Sequence, residues 1–107
     1  MKPEFEYLEV IKNEKESRFE MKVDGHLAFI DYKENPGVIL LTHTESPLEL
    51  EGRGVAKVLV EKTLRYLEEN NYVLEPLCPY VFTYIKKNPE WKRILSDEFQ
   101  EKINTDS

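Results

Sequence analysis

Four consecutive apolar residues, Val38-Ile39-Leu40-Leu41, follow the turn signal Asn35-Pro36-Gly37 and give way to Thr42-His43-Thr44-Glu45. A run this short and this apolar is expected to form a strand buried on both faces, in the middle of a sheet. Everything else must be arranged around it. Upstream, Phe19, Met21 and Val23 alternate with Glu20, Lys22 and Asp24, the pattern of a half-buried strand. Asp24-Gly25 fits a type I′ hairpin turn, which needs positive φ at both central residues. Leu27 to Tyr32 is then the return strand. An earlier stretch around Phe5, Tyr7 and Val10 is also strand-like and is broken by the polar run Asn13 to Ser17.

Downstream the period changes. After Ser46 to Glu51 and Gly52-Arg53-Gly54, Val55, Leu59 and Thr63 form one helical row, and Ala56, Val60, Leu64 and Leu67 share the buried side. Asn70-Asn71 is the expected stop. Tyr72 to Leu77 reads as a short strand, and Pro79 suits the first turn of a second helix ending near Asn88-Pro89. Trp91, Ile94, Leu95 and Phe99 make a last helical patch, with fraying expected after about Lys102. The order is three or four antiparallel strands, a helix, a strand and a helix: an α+β architecture in one domain over residues 1–107.

The net charge of -6 disfavours a nucleic-acid partner, because phosphate backbones demand a basic excess. It suits a cationic or amine-bearing one. Cys78 is the single cysteine, so no internal disulfide or cysteine-rich zinc site is expected, and no metal. The first residues lack the apolar core of a signal peptide, and no apolar run reaches the ~20 residues of a membrane span. A cytoplasmic protein is the expectation.

A strand, Gly-x-Gly and an amphipathic helix form a recipe for anion binding. The first helical N–H groups lack intrahelical partners, the macrodipole is positive there, and glycines admit a close backbone approach. The pattern is neither a Rossmann fingerprint nor a P-loop, since it has no third glycine and no Gly-Lys-Ser/Thr.

Three segments together carry a resemblance: His43-Thr44-Glu45, Glu51-Gly52-Arg53-Gly54-Val55-Ala56 and Pro76-Leu77-Cys78-Pro79-Tyr80-Val81. The chain resembles the GCN5-related N-acetyltransferase (GNAT) superfamily, and within it the small minimal branch. Gly54 and Ala56 match that family's Gln/Arg-x-x-Gly-x-Gly/Ala motif, while Glu51 departs from its first position. The resemblance implies a compact minimal fold: a mostly antiparallel twisted sheet with splayed central strands and two main helices. It also implies acetyl-coenzyme A as acyl donor. Backbone N–H groups of Arg53, Gly54, Val55, Ala56 and Lys57 would hold the pyrophosphate. Thr44 and Glu45 would bond the pantetheine through their backbones, in the opening between the splayed strands.

Acetyl transfer to an amine needs the amine neutral, and about one lysine-like amine in 2,500 is neutral at pH 7. A base is therefore required. Glu45 is the first candidate. His43, expected on the same strand face, is the alternative, although a lone histidine on a strand is commonly a packed residue. The resemblance places an acid for the leaving thiolate at Tyr84, with Tyr80 one turn earlier as competitor; either also reads as core packing. Cys78 at a strand-to-helix junction either accepts the acetyl group or lines its pocket. Lys57, Lys86 and Lys87 are candidates for the 3′-phosphate. The space between Val10 and Phe19 is too short for the two helices that wall the acceptor site in longer superfamily members, so an open acceptor side is expected. Two other readings stand beside catalysis: a coenzyme A-binding module that senses or tethers without turnover, and an interaction domain using the Tyr80–Trp91 surface.

Overall fold

The computed structural model describes residues 5–105. Its elements run β1 (Ile11–Asn13), β2 (Arg18–Val23), β3 (His26–Asn35), β4 (Val38–Glu45), a 3₁₀ turn (Leu48–Leu50), α1 (Val55–Glu69), β5 (Val73–Pro76), α2 (Pro79–Lys87), a second 3₁₀ segment (Pro89–Ile94) and α3 (Asp97–Thr105). The five strands form one sheet in sequence order; all neighbours are antiparallel except β4 and β5. This is the α+β class expected.

The Asp24-Gly25 turn has φ of 50° and 79°, the two positive values a type I′ hairpin demands. The early stretch is less regular than expected. Only Ile11–Asn13 pairs with β2, while Phe5 is buried in the core and Tyr7 stands in solvent. The last helical patch is also divided. Leu95 leaves the helical path to bridge Leu74 of β5, and the Ser96 N–H donates to the Leu74 carbonyl, closing that sheet edge before α3 begins. A third helix therefore joins the two expected ones. Where fraying was expected after about Lys102, α3 continues to Thr105, whose hydroxyl bonds the Glu101 carbonyl.

Cross-strand partners point to the same face. The pairs Phe19–Ile30, Met21–Ala28, Tyr32–Leu41 and Ile39–Leu74 thus define one face, and each of these residues is buried. Helix α1 covers it, with Leu59, Val60, Leu64 and Leu67 fully buried. Burying one such side chain stabilises the fold by roughly 1.5–3 kcal/mol. The opposite face is not closed: none of its strand residues is fully buried. Val38 and Leu40, expected inside, are only half-buried. The apolar run belongs to a sheet with one well-covered face, not two.

Strand β4 changes phase at a β-bulge. Asp31 pairs with His43 but Tyr32 pairs with Leu41, so Thr42 is an extra residue in β4. Its hydroxyl donates to the Asp31 carbonyl at 3.2 Å. Simple alternation from Ile39 and Leu41 would carry the core face on to His43 and Glu45. The bulge gives that face to Thr44, the partner of Ile30, and turns His43 and Glu45 to the opposite one.

Two polar features bear on stability. The Thr63 hydroxyl is fully buried in α1 without a hydrogen-bond partner among the described residues. At the other end of the sheet, the Lys12 ammonium donates to Glu34 at 2.7 Å and to the Tyr72 hydroxyl at 3.2 Å. Burial would lower the Lys12 pKa, but these hydrogen bonds outweigh it and leave the ammonium above its usual value. The same bond from Lys12 holds the Glu34 carboxyl below its usual value.

Thr63→Val keeps the shape and removes an unsatisfied group whose burial costs about 1–3 kcal/mol. The melting temperature should rise by several degrees; a fall would show that the hydroxyl has a partner. Glu34→Gln tests the Lys12 cluster. A depressed carboxyl pKa contributes stability above the unfolded value, about 4.3, and loses it as pH falls through the folded value. The stability gap between wild type and Glu34→Gln should therefore shrink between about pH 6 and about pH 3. A gap that stays constant over that range contradicts the pairing.

Candidate functional site

The parallel ladder between β4 and β5 covers Val38 to Leu41 against Val73 to Pro76 and stops. One further bond, from the Cys78 N–H to the Leu41 carbonyl at 2.8 Å, ties down the start of α2. Beyond it His43 to Glu45 pair with β3 alone among the described residues. A strand with one side unpaired presents backbone donors and acceptors. The opening lies between the end of β4 and the start of α2.

Thr44 and Cys78 meet at this opening, Oγ1 and Sγ in hydrogen-bond contact at 3.3 Å. Cys78 is buried and caps α2 with extended φ/ψ. Its carbonyl accepts the Phe82 N–H, and Pro79 occupies the first helical position. Sequence reasoning gave Thr44 a backbone role; its side chain reaches the site only because of the bulge, and no signal in Leu41-Thr42-His43 announces one.

The N-terminus of α1 is suited to an anion. Gly54 is the cap with φ of 80°, in the left-handed region where side chains are strained. No side chain caps the helix and no acidic residue occupies its first turn. The first intrahelical bond runs from Val58 to Gly54, so the amides of Val55, Ala56 and Lys57 have no intrahelical acceptor. The Arg53 amide differs from expectation: it donates to the Leu50 carbonyl at 3.3 Å and is committed to the turn. Its guanidinium bonds Asp24 at 2.6 Å and stacks over Phe5. Arg53 braces the loop against the β2–β3 hairpin, and the anion-facing donors begin after it.

Three adjoining clefts of about 410, 350 and 400 Å³ surround this helix start, and Lys57 lines all three. Each is within the size range of ligand sites. Tyr84 and Asn88 line two of them, Tyr80 lines two, and Lys87 lines one. Sequence reasoning missed Glu61 and Asn88. Helical spacing marks them, since Glu61 follows Lys57 by four residues and Asn88 follows Tyr84 by four.

Tyr84 is buried, and burial pushes its phenol up to about 12, with Glu61 adding in the same direction and a hydrogen bond from Trp91 opposing. It remains protonated at neutral pH and can give a proton. Tyr80 is exposed; burial of its ring region and then Cys78 raise its pKa. Lys86 is exposed on the same helix, outside the three clefts. His43 and Glu45 lie on the far side of the sheet, both exposed, beside Asp31 and Phe29 in register. The sequence-derived residues thus divide in two. Thr44, Gly54 to Lys57, Cys78, Tyr84 and Lys87 are on the helix side, and His43 and Glu45 are on the other. Among the described residues, no group of His, Cys, Asp or Glu side chains is arranged to hold a metal, and no helix is long and apolar enough to cross a membrane.

Comparison with known proteins bears on the family. The family described as GCN5-related N-acetyl-transferase matches residues 18–94. That span contains β2 to β5, the Gly54 cap, Cys78 and Tyr84. Protein NATD1 of Gallus gallus and Protein NATD1 of Mus musculus are each 36% identical to this chain over 52 residues, covering 49% of this chain and 47% of theirs. Protein NATD1 of Homo sapiens is 36% identical over the same length, covering 46% of its chain. The chain therefore aligns with about half the length of these curated relatives. With more than half of the chain, including both glycine turns of the α1 loop, inside the family match, the chain belongs to the GCN5-related N-acetyltransferase family.

Proposed function

We propose that the protein transfers an acetyl group from acetyl-coenzyme A to an amine. The observation that carries this is the uncapped start of α1 beside the opening where the β4–β5 ladder ends. An uncapped, positively polarised helix start fits a pyrophosphate, and the amides of Gly54 to Lys57 are its donors. Lys57 and Lys87 line the same clefts and suit the remaining phosphate. The pantetheine arm would lie along the unpaired side of Thr44 and Glu45, bringing the thioester beside the Thr44–Cys78 contact. Backbone N–H groups there polarise its carbonyl.

The reaction then balances as follows. Glu45 removes a proton from the acceptor ammonium, directly or through water. The neutral nitrogen attacks the thioester carbon, the C–N bond forms, and the nitrogen loses its second proton to solvent. The C–S bond breaks and Tyr84 protonates the departing thiolate, giving coenzyme A and the amide. Tyr84, with its raised pKa, holds that proton throughout the neutral range. His43 stands beside Glu45 on the same face as the alternative base. Cys78 lines the acetyl site; as a nucleophile it would form its own thioester and release coenzyme A before the amine arrives. The free thiol fits a reducing compartment, so the reading places the protein in the cytoplasm.

Titrating labelled protein with acetyl-coenzyme A should shift the amides of Thr44 and of Gly54 to Lys57. Gly54→Val should weaken this binding about tenfold, because a β-branched residue resists positive φ by roughly 1–2 kcal/mol. With an amine and peptide pool, Glu45→Gln should lose about 10²–10⁴-fold in rate while retaining donor affinity. Absence of all donor-induced shifts would remove the reading altogether. Donor binding without acetylation of any amine would leave a binding module in place of an enzyme.

A further inference from the structure

The contact between Thr44 and Cys78 closes the opening where the β4–β5 ladder stops. Oγ1 and Sγ are 3.3 Å apart. A carbon atom sits about 3.5–4.0 Å from each atom it touches, so a methyl group between the two would need a separation of roughly 7 Å. Backbone bonds hold both residues in place. The Cys78 N–H donates to the Leu41 carbonyl at 2.8 Å, and the Cys78 carbonyl accepts the Phe82 N–H. Thr44 is paired with Ile30, and the bulge at Thr42 fixes the face it presents.

The surroundings leave neither side chain room to retreat. Ile30 and Leu41 are fully buried, and so is Val81, which follows Cys78 by three residues and shares its side of α2. Protein interiors are packed closely enough that a change of one methylene is felt. The space open to a ligand also ends short of the pair. The cleft of about 350 Å³ beside the start of α1 is lined by Ser46 and Tyr80, with Pro47, Leu48 and Leu50 as an apolar wall. Ser46 stands two residues beyond Thr44, and Tyr80 two beyond Cys78. Neither Thr44 nor Cys78 lines this cleft or the two that adjoin it.

We infer that the Thr44–Cys78 contact sets the length of the acyl group the protein transfers, admitting acetyl and excluding propionyl and longer chains. The inference rests on the acetyl-transfer reading above and names the residues that select its donor. A thioester brought beside the contact turns its acyl carbons toward the pair. The acetyl methyl ends against Oγ1 and Sγ, and the next methylene would have to displace one of them into filled core. Exclusion is by bulk. The hydrogen bond keeps the two atoms together, and the atoms themselves occupy the space.

The test is a donor series of coenzyme A and its acetyl, propionyl and butyryl thioesters, titrated against the full chain by calorimetry and then compared in turnover with one amine. One extra methylene in a fitted apolar pocket is worth roughly 10–200-fold. Wild type should therefore bind the acetyl thioester at least about tenfold more tightly than the propionyl, with kcat/KM following the same order. Cys78→Ala removes an Sγ that makes no capping bond to α2, so the helix start should survive. Truncating a buried side chain leaves a space that its surroundings only partly fill. The added methylene takes that space, and the propionyl-to-acetyl affinity ratio should rise about tenfold. Thr44→Ala should move the ratio in the same direction from the other side of the contact. Thr44→Val keeps the bulk and loses the hydrogen bond, and it should retain the wild-type ratio.

Equal affinity of wild type for the acetyl and butyryl thioesters would overturn the inference and leave acyl transfer standing. An unchanged ratio in both alanine variants would overturn it too. So would a Thr44→Val ratio relaxed as far as that of Thr44→Ala, because the hydrogen bond and not the bulk would then be the stop. If no member of the series binds, coenzyme A included, the acetyl-transfer reading fails and the inference falls with it.

Discussion

One inserted residue in β4 sets the arrangement of the candidate site. Thr42 interrupts the pairing with β3, and its hydroxyl fastens the bulge to the Asp31 carbonyl. Without it, regular alternation would aim Glu45 and His43 toward the helices and Thr44 away from them. With it, Thr44 meets Cys78 on the helix side and the two candidate bases face outward. Bulges commonly re-aim side chains next to functional sites, and this one puts Thr44 on one side of the sheet and His43 and Glu45 on the other. The parallel ladder ends one residue earlier, at Leu41 and Pro76, so the redirected side chains flank an opening.

The rest of the fold holds that opening in place. A β-strand, helix and parallel strand must cross over in the right-handed sense, which brings α1 back over the core face. Gly54 starts that helix in a conformation few other residues tolerate, and Arg53 anchors the loop to Asp24 and Phe5. Leu95 and Ser96 close the outer edge of β5.

Local chemistry made much of this legible in the sequence. Asp24-Gly25 specified the hairpin, the row from Val55 to Leu67 specified α1, and Pro79 marked the start of α2. Periodicity could not show the bulge, because nothing distinguishes Thr42 from an ordinary strand residue until its partner strand is known. The run Val38 to Leu41 suggested burial on both faces because hydrophobicity reports a preference, whereas coverage depends on where helices fall. The commitment of the Arg53 amide to Leu50 was equally invisible, being a property of turn geometry. The Lys12 cluster joins β1, β3 and the residue before β5, contacts that no local window contains. At the site itself, the glycine turn and Cys78 were readable from motif and position, while the division of Thr44 from Glu45 was not.

That division is the central claim, and a crystal structure of the protein with bound coenzyme A tests it most directly. The account predicts the pyrophosphate on the amides of Gly54 to Lys57, and the sulfur beside the hydrogen-bonded Thr44 and Cys78 side chains, on the helix side of β4. A coenzyme A sulfur on the Phe29 and Glu45 side of the sheet would contradict it.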